Sequence, residues 1–161
     1  MNNKRLVSMV VLLLLLVFPA SASMVSFLVV ETGLSEETVT QYGTVWEGGL
    51  MDVFFEAGHI VTNSPIARME KKPGEDLSGY IQVDFYEATR SGADYFILGF
   101  LEFQSKDARI PSAMVIKIYS TNTEKLVFER SFSAGTGKNL NDEYQIAKGA
   151  GQVIVSNIKD M

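Results

Sequence analysis

The apolar positions fall into a few dense blocks. Residues 6–18 are apolar apart from Ser8, with Lys4 and Arg5 ahead and Pro19 and Ala20-Ser21-Ala22 behind. A basic head, an apolar stretch of this length and a small-x-small end make a secretory signal peptide. Cleavage is expected after Ala22, leaving residues 23–161 as one α/β domain. The competing reading is an uncleaved anchor, but a span needs ~20 apolar residues and Pro19 ends this one early.

Residues 24–30 (MVSFLVV) read as a strand buried on both faces, and Glu31-Thr32-Gly33-Leu34 reads as a turn. Ser35 offers an N-cap, with Glu36 and Glu37 in a first turn where carboxylates oppose the helix dipole. Val39, Tyr42, Trp46, Leu50, Val53, Phe54 and Ala57 then repeat at helical spacing, up to a stop at Gly58. Gly43, Gly48 and Gly49 inside that helix predict close packing on a sheet, or a hinge.

Residues 59–66 predict a second strand, with Pro65 marking an edge or a strand end. Residues 67–79 predict a charged surface loop, and residues 80–90 a helix. Residues 93–103 (ADYFILGFLEF) form the strongest strand, expected at the sheet centre between the first and third helices. Residues 113–119 and 126–132 alternate about a turn at Asn122-Thr123-Glu124, which predicts an antiparallel hairpin. Leu140, Tyr144, Ala147, Ala150, Ile154 and Ile158 close the chain as an amphipathic helix. The expected fold is α/β (α+β): one three-layer-like domain with a mixed sheet of about five strands in the order β-α-β-α-β-β-β-α.

Composition narrows the chemistry. The chain has 161 residues, 47% of them hydrophobic, and no cysteine. Disulfides, thiolate metal sites, a cysteine nucleophile and a lipid-bearing amino-terminal cysteine are therefore excluded. Of the 14 Lys+Arg, Lys4 and Arg5 leave with the leader, so the mature domain carries 12 against 19 Asp+Glu, a net −7. Such a surface argues against nucleic acid and anionic membranes as partners.

Catalytic patterns are sparse. His59 is the sole histidine, so an imidazole zinc site is not available and any triad must use that residue. No Gly-x-Ser-x-Gly elbow is present. Gly135-Thr136-Gly137-Lys138 departs from a phosphate loop, because Phe132 stands where glycine is required and Asn139 follows the lysine. It reads as a flexible loop. Asp84 and Glu87 lie one helical turn apart without a calcium-loop pattern around them, and read as a solvated face. Asp142 and Glu143 read as charges complementing a helix dipole. No cofactor or metal is expected.

Several segments are familiar together. Residues 25–30, the helix ending in Phe55-Glu56-Ala57-Gly58, and Gly92-Ala93-Asp94-Tyr95-Phe96-Ile97-Leu98-Gly99 resemble one bacterial envelope superfamily. The hairpin around Ser120-Thr121-Asn122-Thr123-Glu124-Lys125 fits it as well. That group includes the curli-secretion channel lipoprotein, the lipoprotein activator of penicillin-binding proteins, and the amino-terminal domain of the Tol–Pal β-propeller protein. The resemblance implies a periplasmic, non-catalytic module that docks on other envelope proteins. It implies that Asp94 bonds backbone N–H groups in the Gly-Ala-Asp turn. The missing cysteine argues against a lipid anchor, and the lack of extra alternating strands argues against a pore.

The expected function is thus a secreted accessory protein acting by contact with envelope proteins or with further copies of itself. A small hydrolase using His59 and a small-ligand carrier are the alternatives. The partner surface is expected in the loop bearing Arg68, Lys71 and Lys72, together with Tyr119 and Lys125 of the hairpin turn. Arg68, Lys71 and Lys72 are the densest basic group on an acidic surface, and loops carry recognition on a rigid scaffold.

Overall fold

The computed structural model describes residues 22–35, 40–70 and 78–158. The elements run β1 (Met24–Thr32), α1 (Tyr42–Glu56), β2 (Ile60–Asn63), β3 (Ala67–Met69), α2 (Ser78–Arg90), β4 (Tyr95–Glu102), β5 (Ala113–Ser120), β6 (Lys125–Ser133) and α3 (Leu140–Ile158). They build one six-stranded sheet in the order β2-β1-β4-β5-β6, with β3 also paired to β1. β2, β3 and β4 are parallel to β1, whereas β5 and β6 are antiparallel additions. The mixed α+β domain expected from the sequence is present.

β1 is buried nearly throughout because each of its faces meets a helix layer. Val25, Phe27 and Val29 enter a large core with Trp46, Leu50, Val53 and Phe54 of α1 and Ala147, Ala150 and Ile154 of α3. Leu28 and Val30 enter a smaller core with Phe96 and Leu98 of β4 and Ala88 of α2. β4 is central as expected, but α1 and α3 share one face and α2 covers the other. Handedness explains this arrangement. The β1–α1–β2 crossover steps one way across the sheet and β3–α2–β4 steps the other way, so right-handed connections put their helices on opposite faces.

Three local expectations are corrected. Glu31 and Thr32 do not turn the chain; they are the last, fully buried residues of β1. The first described helix starts at Tyr42 rather than at Ser35, and Glu36 and Glu37 lie outside the described residues. Its Gln41 cap makes no side-chain bond, and Gly43 N–H instead donates to Glu31 Oε1 across 3.2 Å. Part of the expected loop, Ala67–Met69, is a strand on β1. The edge predicted at Pro65 is present, since residue 65 separates β2 and β3 along the same flank of β1.

Of the helical glycines, Gly43 lies close against Glu31 of β1 and Ile66, as packing on the sheet requires, whereas Gly49 packs on α3. A Cβ on Gly49 would stand 2.7 Å from Ala147 Cβ and 2.9 Å from Tyr144 O, whereas one on Gly48 would meet only Tyr144 at 3.8 Å. Gly49→Ala should destabilise by about 1–3 kcal/mol through overpacking, despite its better helix propensity. Gly48→Ala should gain up to about 1 kcal/mol. Paired urea titrations check this, and equal shifts in the two variants would refute the close approach of α1 to α3.

Candidate functional site

The structure sets Arg68 apart from Tyr119 and Lys125. Arg68 lies on β3, opposite Glu31 near the end of β1, whereas Tyr119 and Lys125 flank the hairpin turn at the sheet's other end. Lys71 and Lys72 lie outside the described residues. Arg68 is also engaged: its Nε donates to Glu31 Oε2 at 2.6 Å. Tyr119 packs its ring edge-on to Phe85 of α2, with centroids 6.2 Å apart. Lys125 is exposed where β6 begins, just after Glu124, whose φ of 56° gives the turn its left-handed residue.

Three buried carboxylates carry most of the polar interior. Glu31 accepts from Arg68, from Thr40 Oγ1 at 2.6 Å and from Gly43 N, tying β3 and the start of α1 to β1. Glu143 accepts from Trp46 Nε1 at 2.7 Å, from Gly135 N at 2.7 Å and from Gly137 N at 2.9 Å. Asp142 and Glu143 do lie in the first turn of α3, as a dipole argument requires, but Glu143 turns inward and is fully buried. The Gly135-Thr136-Gly137 segment is therefore pinned rather than free. The two amides that an anion would need already hold a carboxylate.

Glu47 is the third. It is buried on α1, Asn63 hydrogen-bonds its carboxyl, and Oε1 has no hydrogen-bond partner. Burial pushes its pKa up, and the Asn63 bond pulls the other way with smaller effect. A carboxyl raised on folding stabilises the protein fully below its ordinary range, and that contribution is lost as pH rises through the folded value. Glu47→Gln should therefore lift the melting temperature at pH 8 more than at pH 4. An equal change at both pH values would refute the assignment.

Asp94 behaves as the Gly-Ala-Asp turn suggested. Its Oδ2 accepts Met24 N–H at 2.8 Å, its own N–H donates to Met24 O at 2.7 Å, and its carbonyl accepts Thr121 N–H at 3.1 Å. One residue thus ties the start of β1 to the β5–β6 turn. Beside it lies a cavity of 240 Å³ lined by Ala22, Ser23, Asp94, Tyr95, Ser120 and Asn122. That is below the range of about 300–1,000 Å³ usual for small-molecule sites. His59 stacks at a tilt on Phe54, with centroids 5.5 Å apart. Among the described residues no group of three His, Asp or Glu is placed to hold a metal ion.

The feature of greatest extent is β6. It ends the strand order, runs nine residues, and exposes most of its side chains. Arg130 stands over the Phe132 ring at 5.6 Å, and Lys117 reaches Glu129 at 3.4 Å on the opposite face. Among the described residues the outer backbone groups of this edge have no neighbouring strand, the usual template for strand addition.

This geometry defines a mixed α+β domain with two helices on one face of the sheet, one on the other, and an open antiparallel edge. Solved structures are similar to it at low sequence identity. A single-substitution form of the PelC dodecamer from Paraburkholderia phytofirmans is 12% identical with a TM-score of 0.52, covering 84% of this chain and 88% of that chain. TolB from Acinetobacter baumannii is 12% identical with a TM-score of 0.45, covering 88% of this chain and 28% of that one. The LpoB C-terminal domain from Salmonella enterica is 15% identical with a TM-score of 0.44, covering 76% and 90%. The PelC likeness is one of fold alone. No protein-family model and no curated protein matches the sequence. No described helix is long and apolar enough to cross a membrane.

Proposed function

We propose that the chain is exported to the periplasm and serves the cell envelope as a non-catalytic accessory protein, acting by protein contact along β6. The single observation that carries this is the open edge strand, nine residues long and largely exposed. Pairing there supplies main-chain hydrogen bonds, while alternate side chains supply selectivity. The leader-like start, the acidic mature surface and the resemblance to envelope docking modules agree with it. The buried carboxylates Glu31 and Glu143 are spent on holding backbone and side-chain donors, so they offer no acid–base pair. Lys125 of the expected contact set stands at the head of β6.

A photo-crosslinking side chain at Ser131, exposed on β6, tests the proposal in intact cells. A discrete adduct with an envelope protein is expected, and it should disappear when Glu129→Pro, two residues along the same strand, blocks the edge. An adduct of twice the chain's mass would assign the edge to a second copy. No adduct, or one unaffected by proline, would overturn the proposal. The hydrolase alternative predicts loss of biological activity in His59→Ala. The carrier alternative predicts a copurified small molecule in native mass spectrometry.

A further inference from the structure

The peptide bond expected to be cut on export joins Ala22 to Ser23, and both residues line the 240 Å³ cavity beside Asp94. Tyr95, Ser120 and Asn122 complete its lining. The chain is pinned directly after that bond. Ser23 O accepts Ile60 N–H at 3.0 Å, Met24 N–H donates to Asp94 Oδ2 at 2.8 Å, and Asp94 N–H donates to Met24 O at 2.7 Å. Successive backbone nitrogens stand no more than about 3.7 Å apart, so the Ser23 nitrogen is held within roughly 6.5 Å of Asp94 Oδ2.

We infer that Asp94 is the binding site for the mature chain's own amino terminus, so that cleavage completes the fold. The inference rests on the proposed export and on a cut after Ala22. A peptidase adds water across the Ala22–Ser23 bond. The water oxygen goes to the Ala22 carbonyl carbon, the C–N bond breaks, and both water protons end on the Ser23 nitrogen. Ala22 departs as a carboxylate, and Ser23 keeps an ammonium. A neutral amide with one donor thus becomes a group with three, cationic below an ordinary pKa of about 7.7–8.0.

The cavity supplies what that group needs. Asp94 brings the negative charge, while Ser120 at the end of β5 and Asn122 in the hairpin turn bring neutral oxygen acceptors. A carboxylate accepts about four hydrogen bonds, so the one from Met24 leaves room for the ammonium. The space is small for a substrate but ample for an ammonium with its remaining waters, each of which occupies about 30 Å³. Asp94 O also accepts Thr121 N–H at 3.1 Å, so the captured terminus ties β1 to both β4 and the hairpin. In the precursor the same nitrogen belongs to a peptide bond and the charge pair does not exist. The most stable state is therefore reserved for the cleaved chain.

Urea unfolding of three amino-terminal forms tests this at about pH 6.5, where the amine is charged. They are the exported chain beginning at Ser23, the same chain acetylated on that nitrogen, and a chain begun at Ala20, whose ammonium stands three residues away. Amino-terminal sequencing should first place the exported start at Ser23. Acetylation and the Ala20 start should each lower the folding equilibrium constant roughly fivefold, the upper end for a partly exposed charge pair. In Asp94→Asn, whose amide oxygen still accepts Met24 N–H, the three forms should be equally stable. An equal acetylation loss with and without the carboxylate would overturn the inference, because Asp94 would then serve the backbone alone. No loss in either altered form of the parent would overturn it without recourse to any variant at residue 94. An exported chain that starts elsewhere would overturn it too, while crosslinking at Ser131 still judges the contact along β6 by itself.

Discussion

Lysine at Ile97, or at Leu98, is expected to leave the protein unfolded at room temperature. Both side chains are 1% exposed and adjacent on β4, so they project to opposite faces of the sheet. Ile97 lies in the core shared with α1 and α3, and Leu98 in the core closed by α2. An unpaired ammonium in either place costs several kcal/mol, against a total stability of about 5–15 kcal/mol for a domain. Trp46 is fully buried, so its emission reports the loss directly. Ile97→Lys should be the more severe, since α2 alone covers Leu98 and a long side chain could escape past it. A melting curve for either variant that overlays the parent would show that face to be open.

The elements were legible because their periodicities differ: continuous apolar runs for β1 and β4, alternation for β5, and three-four spacing for α1 and α3. β3 was not legible. Ala67–Met69 is three residues long and sits in a charged stretch, and it is a strand only because β1 offers it a ladder. Nor could the pattern assign helices to faces, because that follows from strand order, and strand order is a long-range property. Once β2 and β4 are known to flank β1, the crossovers decide it.

Charge was harder to read than hydrophobicity. From the sequence Arg68 reads as available for docking, because its partner Glu31 is 37 residues earlier in a segment that reads as a turn. Glu31 ends an apolar strand, and a carboxylate there needs donors: it finds Arg68, Thr40 and Gly43. Glu143 carried a clearer signal. It falls on the stripe that continues through Ala147, Ala150 and Ile154, so an acid stands where the helix faces the core. The outward side of that turn belongs to Tyr144, whose hydroxyl donates to Asp52.

Glu143→Ala is therefore expected to be the most damaging truncation of a polar side chain in α3. The carboxylate satisfies three donors from three places: the Trp46 indole on α1 and the Gly135 and Gly137 amides ahead of α3. Each donor left unsatisfied in a buried site costs about 1–3 kcal/mol, and charge-assisted bonds stand at the upper part of the range. A loss of about 3–5 kcal/mol follows if water reaches one of the three. Glu143→Gln keeps one acceptor oxygen but turns an amide donor toward another donor, so it should fall between parent and alanine. Urea unfolding followed by Trp46 emission gives the energies, and amide exchange gives the mechanism. Gly135 and Gly137 should lose protection in Glu143→Ala while amides in β4 keep theirs under native conditions. Retained protection at both glycines would mean that the loop holds itself, and that Glu143 is a passenger in the core.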